Sequence, residues 1–85
     1  MVSDQKRLGF IGIVIEDRET AVPQVNQILY AFADSILART GIPHAKDNAS
    51  VITLVVDITA DRLGALTGQL GMVRGVTVKS GLTRS

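Results

Sequence analysis

Cysteine is absent from the chain. Disulfides and thiolate metal sites are therefore excluded, and a reducing compartment is compatible with the sequence. Tryptophan is also absent, and Phe10, Tyr30 and Phe32 are the only aromatics, so the core must be aliphatic. His44 is the single histidine, too few nitrogen ligands for a first-row metal site. No apolar run approaches the ~18 residues of a membrane span. The opening "MVSDQKR" lacks the apolar segment of a secretory signal. These absences predict a cytoplasmic protein with no membrane partner. Strong charge of either sign is missing too: nine basic and eight acidic residues leave a net +1. A nucleic-acid binder usually shows a basic stripe. Here Lys6, Arg7, Lys79 and Arg84 read as solvated strand ends, with a modest basic patch as the alternative.

What is present is apolar surface. Hydrophobic residues make up 46% of the 85 positions and charged residues 20%, a globular balance. The length allows one domain, which buries about 60–65% of its unfolded surface and is marginal alone. We expect that domain to span residues 6–82, with flexible termini at 1–5 and 83–85.

Two segments are apolar on both faces. "LGFIGIVI", Leu8 to Ile15, offers Leu8, Phe10 and Val14 to one side and Ile11, Ile13 and Ile15 to the other. "VITLVVDI", Val51 to Ile58, offers Ile52, Leu54, Val56 and Ile58 to one side and Val51, Thr53 and Val55 to the other. A half-buried strand alternates apolar with polar; these do not. Between them, Val25, Ile28, Leu29, Phe32 and Ile36 fall on one helical face. That spacing predicts a helix over Ala21–Thr40, with Thr20 as N-cap, Pro23 in its first turn, and Gly41 and Pro43 as its stop. "GIPHAKDNAS" leaves room for a short strand around Ile42–Ala45 and a polar turn. A second helix is predicted at about Ala60–Leu70. Thr59 caps it, Asp61 lies near the positive end of its dipole, and Leu63, Leu66 and Leu70 form its apolar stripe. Gly64 and Gly68 weaken that helix, which a close neighbour would explain. "GVTVKSGL" reads as a last strand with one wet face.

The order β-α-β-β-α-β predicts an α+β class, ferredoxin-like sandwich: a four-stranded antiparallel sheet with two helices on one face. Its central strands are the first and third, the two that are apolar on both sides. Two helices cover one face only, so the other would expose a patch that marks an interaction site. Burying even about 300 Å² of it is worth roughly 7 kcal/mol before association costs. The economical partner is another copy. We expect a homo-oligomer, a dimer or a tetramer, with Val51, Thr53 and Val55 in its interface.

Chemistry is harder to find. Asp47 stands three residues after His44, a weak metal-like spacing that reads as an exposed loop. Asp57 and Asp61 are explained by the helix start beside them. "GMVRGV", Gly71 to Val76, lacks the ending of a phosphate loop and reads as a turn. "EDRET", Glu16 to Thr20, joins a central strand to a helix whose first N–H groups are unpaired. It reads as a solvated loop, with an anion beside Arg18 as the alternative. No nucleophile–base pair or metal cage is present, which argues against an enzyme; the residues do not say whether a cofactor is bound.

"RLGFIGIVIEDRETAVPQVNQIL", "GIPH" and "SVITLVVDITADRLGALTGQLGMVRGVTVKSGL" together resemble the iron-only hydrogenase system regulator family, a set of small stand-alone bacterial domains. The resemblance runs from Lys6 to Leu82, and "IEDR", "GIP" and "ALTGQLGMVRGV" are its most specific parts. It implies a ferredoxin-like fold of the ACT type, similar also to the C-terminal domain of the nickel-responsive repressor. Those relatives oligomerise through their sheets. ACT domains bind small effectors at subunit interfaces near the first strand–helix loop, which here corresponds to Asp17 and Arg18. The chain departs from both relatives. The nickel site needs several histidines and a cysteine, and the ACT loop usually carries a glycine where "EDRET" stands. Neither nickel nor amino-acid binding transfers. Only six residues precede Arg7, too few for the repressor's DNA-binding domain. The expectation is a regulatory, oligomeric module sensing a small effector. The alternatives are a small DNA-binding transcription regulator acting as a symmetric oligomer, and a non-enzymatic accessory protein.

Overall fold

Side chains that alternate along a strand must find two environments, and the first strand shows both. The computed structural model describes residues 5–84. In it β1, Arg7–Ile15, is central in a four-stranded sheet with order β2-β3-β1-β4. β3, Ala49–Ile58, runs antiparallel beside it, pairing Ile13 with Ile52 and Ile11 with Leu54. β4, Val76–Leu82, flanks β1 on the other side, also antiparallel. Ile11, Ile13, Ile15, Leu54, Val56 and Ile58 are fully buried. The two helices cover this face and complete its core with Val25, Leu29, Phe32, Leu66 and Leu70. The ferredoxin-like α+β arrangement and its two central strands are as the pattern predicts.

The first helix is shorter than its periodicity suggests. α1 is Arg18–Ala31, followed by a single 3-10 turn, Ala33–Ser35, and then by β2, Ile36–Lys46. The helical spacing holds through Phe32, where the backbone tightens and its N–H reaches the carbonyls of Leu29 and Tyr30. Ile36 belongs to β2 instead, opposite Val56. The reason lies outside the segment. Without β2, the whole outer edge of β3 would present unpaired N–H and C=O groups. Pairing Ile36–Ile42 against Val56–Val51 satisfies them, and that non-local demand overrides a weak helical propensity. Gly41 is accordingly a strand residue opposite Ile52, not a helix stop. Pro43 is tolerated because β2 is an edge strand and its register shifts between Ile42 and Lys46.

The start of α1 also moves. Asp17 occupies the N-cap position without a side-chain cap bond, and its carbonyl accepts from Ala21 N at 3.0 Å. Thr20 lies inside the helix, where its carbonyl accepts from Gln24 Nε2. Pro23 therefore falls beyond the first turn, and the Glu19 carbonyl loses its helical donor. α2, Ala60–Gly71, is capped as expected: Thr59 Oγ1 accepts from Arg62 N at 3.2 Å. Arg62 ties the two helical ends together. Its guanidinium lies 4.8 Å from the Phe32 ring centroid and pairs with Asp34 at 2.9 Å. Gly64 and Gly68 face open space, so no neighbour among the described residues requires them.

Two other glycines have clear reasons. A Cβ on Gly9 would meet the Gly81 carbonyl oxygen at 2.3 Å, so β1 and β4 close only because Gly9 has no side chain. Gly75 has φ +80° in the turn before β4, which confirms "GMVRGV" as a turn. Of the expected flexible termini, residues 1–4 and 85 lie outside the described residues. Thr83 N donates to Leu8 O at 2.8 Å.

Candidate functional site: an open sheet face and an edge cleft

The face of the sheet away from the helices is uncovered. Register places its residues in rows across the strands: Ile42, Val51, Val14 and Thr77; then Thr40, Thr53, Gly12 and Lys79; then Ala38, Val55, Phe10 and Gly81. Leu8 extends the last group opposite Asp57. Two apolar lobes are thus separated by one polar row. Phe10, Leu8 and Val55 are 55%, 53% and 44% exposed, which is costly for side chains of this kind. The Phe10 ring packs against Gly81, where a Cβ would meet it at 2.8 Å. Val51, Thr53 and Val55, the expected interface residues, all belong to this face. They sit in its central strand with Thr53 in the polar row.

A second feature lies where β2 drifts from β3. The register shift after Ile42 opens a cleft of about 170 Å³ between that edge and the first turns of α1. Arg18 and Val22 line it from α1, Arg39, Gly41, Ile42 and Pro43 from β2, and Ser50, Val51 and Ile52 from β3. Its polar wall is organised by Ser50, which is 4% exposed. The Ser50 hydroxyl donates to Pro43 O at 2.6 Å and accepts from Arg18 Nε at 3.1 Å. Arg39 is held to α1 by an Nη2 bond of 2.5 Å to Asn26 Oδ1.

Of the two residues suggested by resemblance, Arg18 lines this cleft and Asp17 does not. Asp17 serves the backbone of the helix start instead. The cleft residues that sequence reasoning missed are Arg39, Pro43 and Ser50. Arg39 falls within the helix expected over Ala21–Thr40, but it belongs to β2. Only the register of β2 brings it opposite Leu54 and into the cleft. His44 is exposed on β2. Among the described residues no group of three His, Cys, Asp or Glu side chains is placed to hold a metal. Asp57 is a half-buried strand residue and Asp61 lies in the first turn of α2. Arg7 Nη1 donates to the carbonyls of Thr83 and Arg84, while Lys79 stands apart in the polar row of the open face. The basic positions therefore do not form one patch. No helix among the described residues is long and apolar enough to cross a membrane.

Comparison with known proteins agrees with this architecture. A family model designated TM1266-like, with the provisional description iron-only hydrogenase system regulator, matches residues 7–80. Protein TM1266 from Thermotoga maritima, described as uncharacterized, is 42% identical with a TM-score of 0.89, covering 94% of this chain and all of that one. The ACT domain of GTP pyrophosphokinase from Chlorobium tepidum is 28% identical with a TM-score of 0.76, covering 89% of this chain and 99% of that domain. The C-terminal domain of MgtC from Mycobacterium tuberculosis is 13% identical with a TM-score of 0.61, covering 98% and 94%, and shares the fold alone. No curated protein sequence matches the chain.

Proposed function

Because this chain belongs to the TM1266-like family of iron-only hydrogenase system regulators and has an ACT-like fold, we propose that it is a non-enzymatic regulatory module. It works as a homo-oligomer in the cytoplasm and responds to a small effector. The observation that carries this reading is the open face, where Phe10, Leu8 and Val55 stand exposed in one register-aligned group. A contiguous apolar patch of this kind marks an interaction site. The face is also self-complementary in outline. A two-fold axis through the polar row superposes one apolar lobe on the other, as an isologous interface requires. Gly12, at the centre of that row, has only the Lys79 carbonyl, at 3.9 Å, near its would-be Cβ. Nothing inside the chain requires a glycine there, and an approaching backbone would.

Effector binding follows from the same assembly. ACT-like domains often oligomerise and bind small effectors, and the cleft at Arg18 is too small and open to enclose one unaided. Two measurements test the reading. Light scattering on the purified protein at micromolar concentration is expected to give a mass of at least two chains. Deleting the gene in its host is expected to change the level of iron-only hydrogenase. A single-chain mass or an unchanged hydrogenase level would count against the corresponding half. Direct DNA binding is the competing reading, since the Arg7 Nη1 bonds to the Thr83 and Arg84 carbonyls bring the two chain ends, with Lys6, Arg7 and Arg84, together. Retardation of hydrogenase-promoter DNA that weakens steeply with salt would favour it.

A further inference from the structure

We infer that the edge cleft binds the carboxylate of a small organic acid that carries no ammonium group. The inference rests on the effector-sensing reading above and gives the effector a chemical class. Arg18 and Arg39 both line one small cleft, and no acidic residue lines it. Among the described residues, neither arginine has an ion pair; the one salt bridge joins Arg62 to Asp34. Like charges sharing a cleft without a counter-ion repel each other, and a bound oxyanion removes that cost. Arginine is suited to the task because its planar fork meets a carboxylate through two parallel hydrogen bonds.

The site is also pre-organised. Arg18 Nε is fixed by the buried Ser50 hydroxyl, and that hydroxyl is fixed by Pro43 O. Among the described residues, Arg18 bonds through Nε alone, and Arg39 bonds through one Nη, to Asn26. Apolar residues complete the lining: Val22, Pro43 and Ile52, together with Ile42 and Val51 of the open-face row. A ligand with a charged head and a short hydrocarbon tail fits that division. At about 170 Å³, the cleft lies below the ~300 Å³ at which drug-sized pockets begin, which suits a small ligand.

The absence of an acidic wall separates this ligand class from zwitterions. An α-ammonium brought into the cleft would meet two cations and no carboxylate. Pro43 O already accepts from the Ser50 hydroxyl, and no carboxylate stands beside it to balance an ammonium. Desolvating an ammonium without a partner is expensive.

Isocaproate and leucine provide the matched pair, because they differ only by that ammonium. Each is titrated at constant ionic strength into the 15N-labelled full chain, and amide shifts are followed. Isocaproate is expected to move the amides of Val22, Ile42 and Ser50 and to bind at least about tenfold tighter than leucine. Arg18→Gln and Arg39→Gln are each expected to weaken isocaproate at least about tenfold while the remaining spectrum stays native. Equal or tighter binding of leucine overturns the inference. So do shifts centred away from the cleft, binding indifferent to both substitutions, or no shift at millimolar isocaproate. A protein that ignores isocaproate yet alters hydrogenase levels on deletion loses the cleft assignment and keeps its regulatory role. One that binds isocaproate without such an effect keeps the cleft and loses the role.

Discussion

The two faces of the sheet come from the same strands and have opposite characters. Under the helices, Ile11, Ile13, Leu54, Val56 and Ile58 are uniformly aliphatic and sealed from water. On the other side Phe10, Val14 and Val55 are exposed and interrupted by Thr53, Gly12 and Lys79. A face that only had to be soluble would carry polar residues throughout. A face that belonged to the chain's own core would carry no lysine. The mixture suits a surface that meets another surface: apolar enough to hold it, polar enough for the single chain to survive while folding. The covered face sets folding, and the open face is the one proposed to set association.

That division breaks most visibly at Val55. Val55→Asp puts a carboxylate between Phe10 and Ala38 in the register of the open face. In a lone chain the charge stays hydrated, and the cost is limited to strand preference, about 1 kcal/mol. Inside an interface the same charge is buried unpaired, a far larger penalty. Light scattering is expected to show the mass fall to a single chain while circular dichroism stays native. An unchanged mass would show that this face is not the interface.

One residue earlier, Leu54→Ala asks the opposite question. Leu54 is fully buried, and emptying such a site costs about 2–5 kcal/mol. For a domain of total stability near 5–10 kcal/mol, urea denaturation is expected to show a large fall in midpoint. Neighbours on one strand would thus report different equilibria. Equal effects on folding from Leu54→Ala and Val55→Ala would erase the distinction between the faces.

Much of this was legible in the sequence, and the exceptions share a cause. β1, β3 and the Thr59 cap of α2 are local patterns, readable within a window of ten residues. The end of α1 is not. Ile36 stands four residues after Phe32, so it satisfies a helical spacing; it also begins the stretch of β2. Both readings fit the local residues, and only the need of β3 for a partner along its edge decides between them. The cleft was hidden by the same error. Arg39 and Pro43 line the cleft with Ser50 because they belong to β2, which no spacing within the segment encodes. Arg18 was suggested through resemblance, and its partner Ser50 was not. A serine opening a strand looks like an ordinary turn residue until its burial is known.

Gly9→Ala sharpens the comparison within β1. The added methyl would lie 2.3 Å from the Gly81 carbonyl oxygen, and backbone cannot yield as a flexible side chain can. Prising β1 from β4 is expected to cost about 1–3 kcal/mol. Gly12→Ala, three residues along the same strand, meets nothing closer than 3.9 Å. It is expected to leave folding of the single chain unchanged or slightly better and to weaken association. Thermal unfolding of the two variants beside their light-scattering masses separates the effects.

The helical side offers the smallest test and guards against a wrong choice of face. Gly68 is exposed on α2, with no atom within 4 Å of its would-be Cβ. Alanine in an exposed helix interior is better than glycine by about 1 kcal/mol. If the outer surface of α2 meets only water in the assembly, Gly68→Ala is expected to raise the denaturation midpoint by that amount and leave the mass alone. A loss of stability or of mass would mean that a second backbone comes close at Gly68. The copies would then meet through their helices, and the exposed valines and phenylalanine of the sheet would need a different partner.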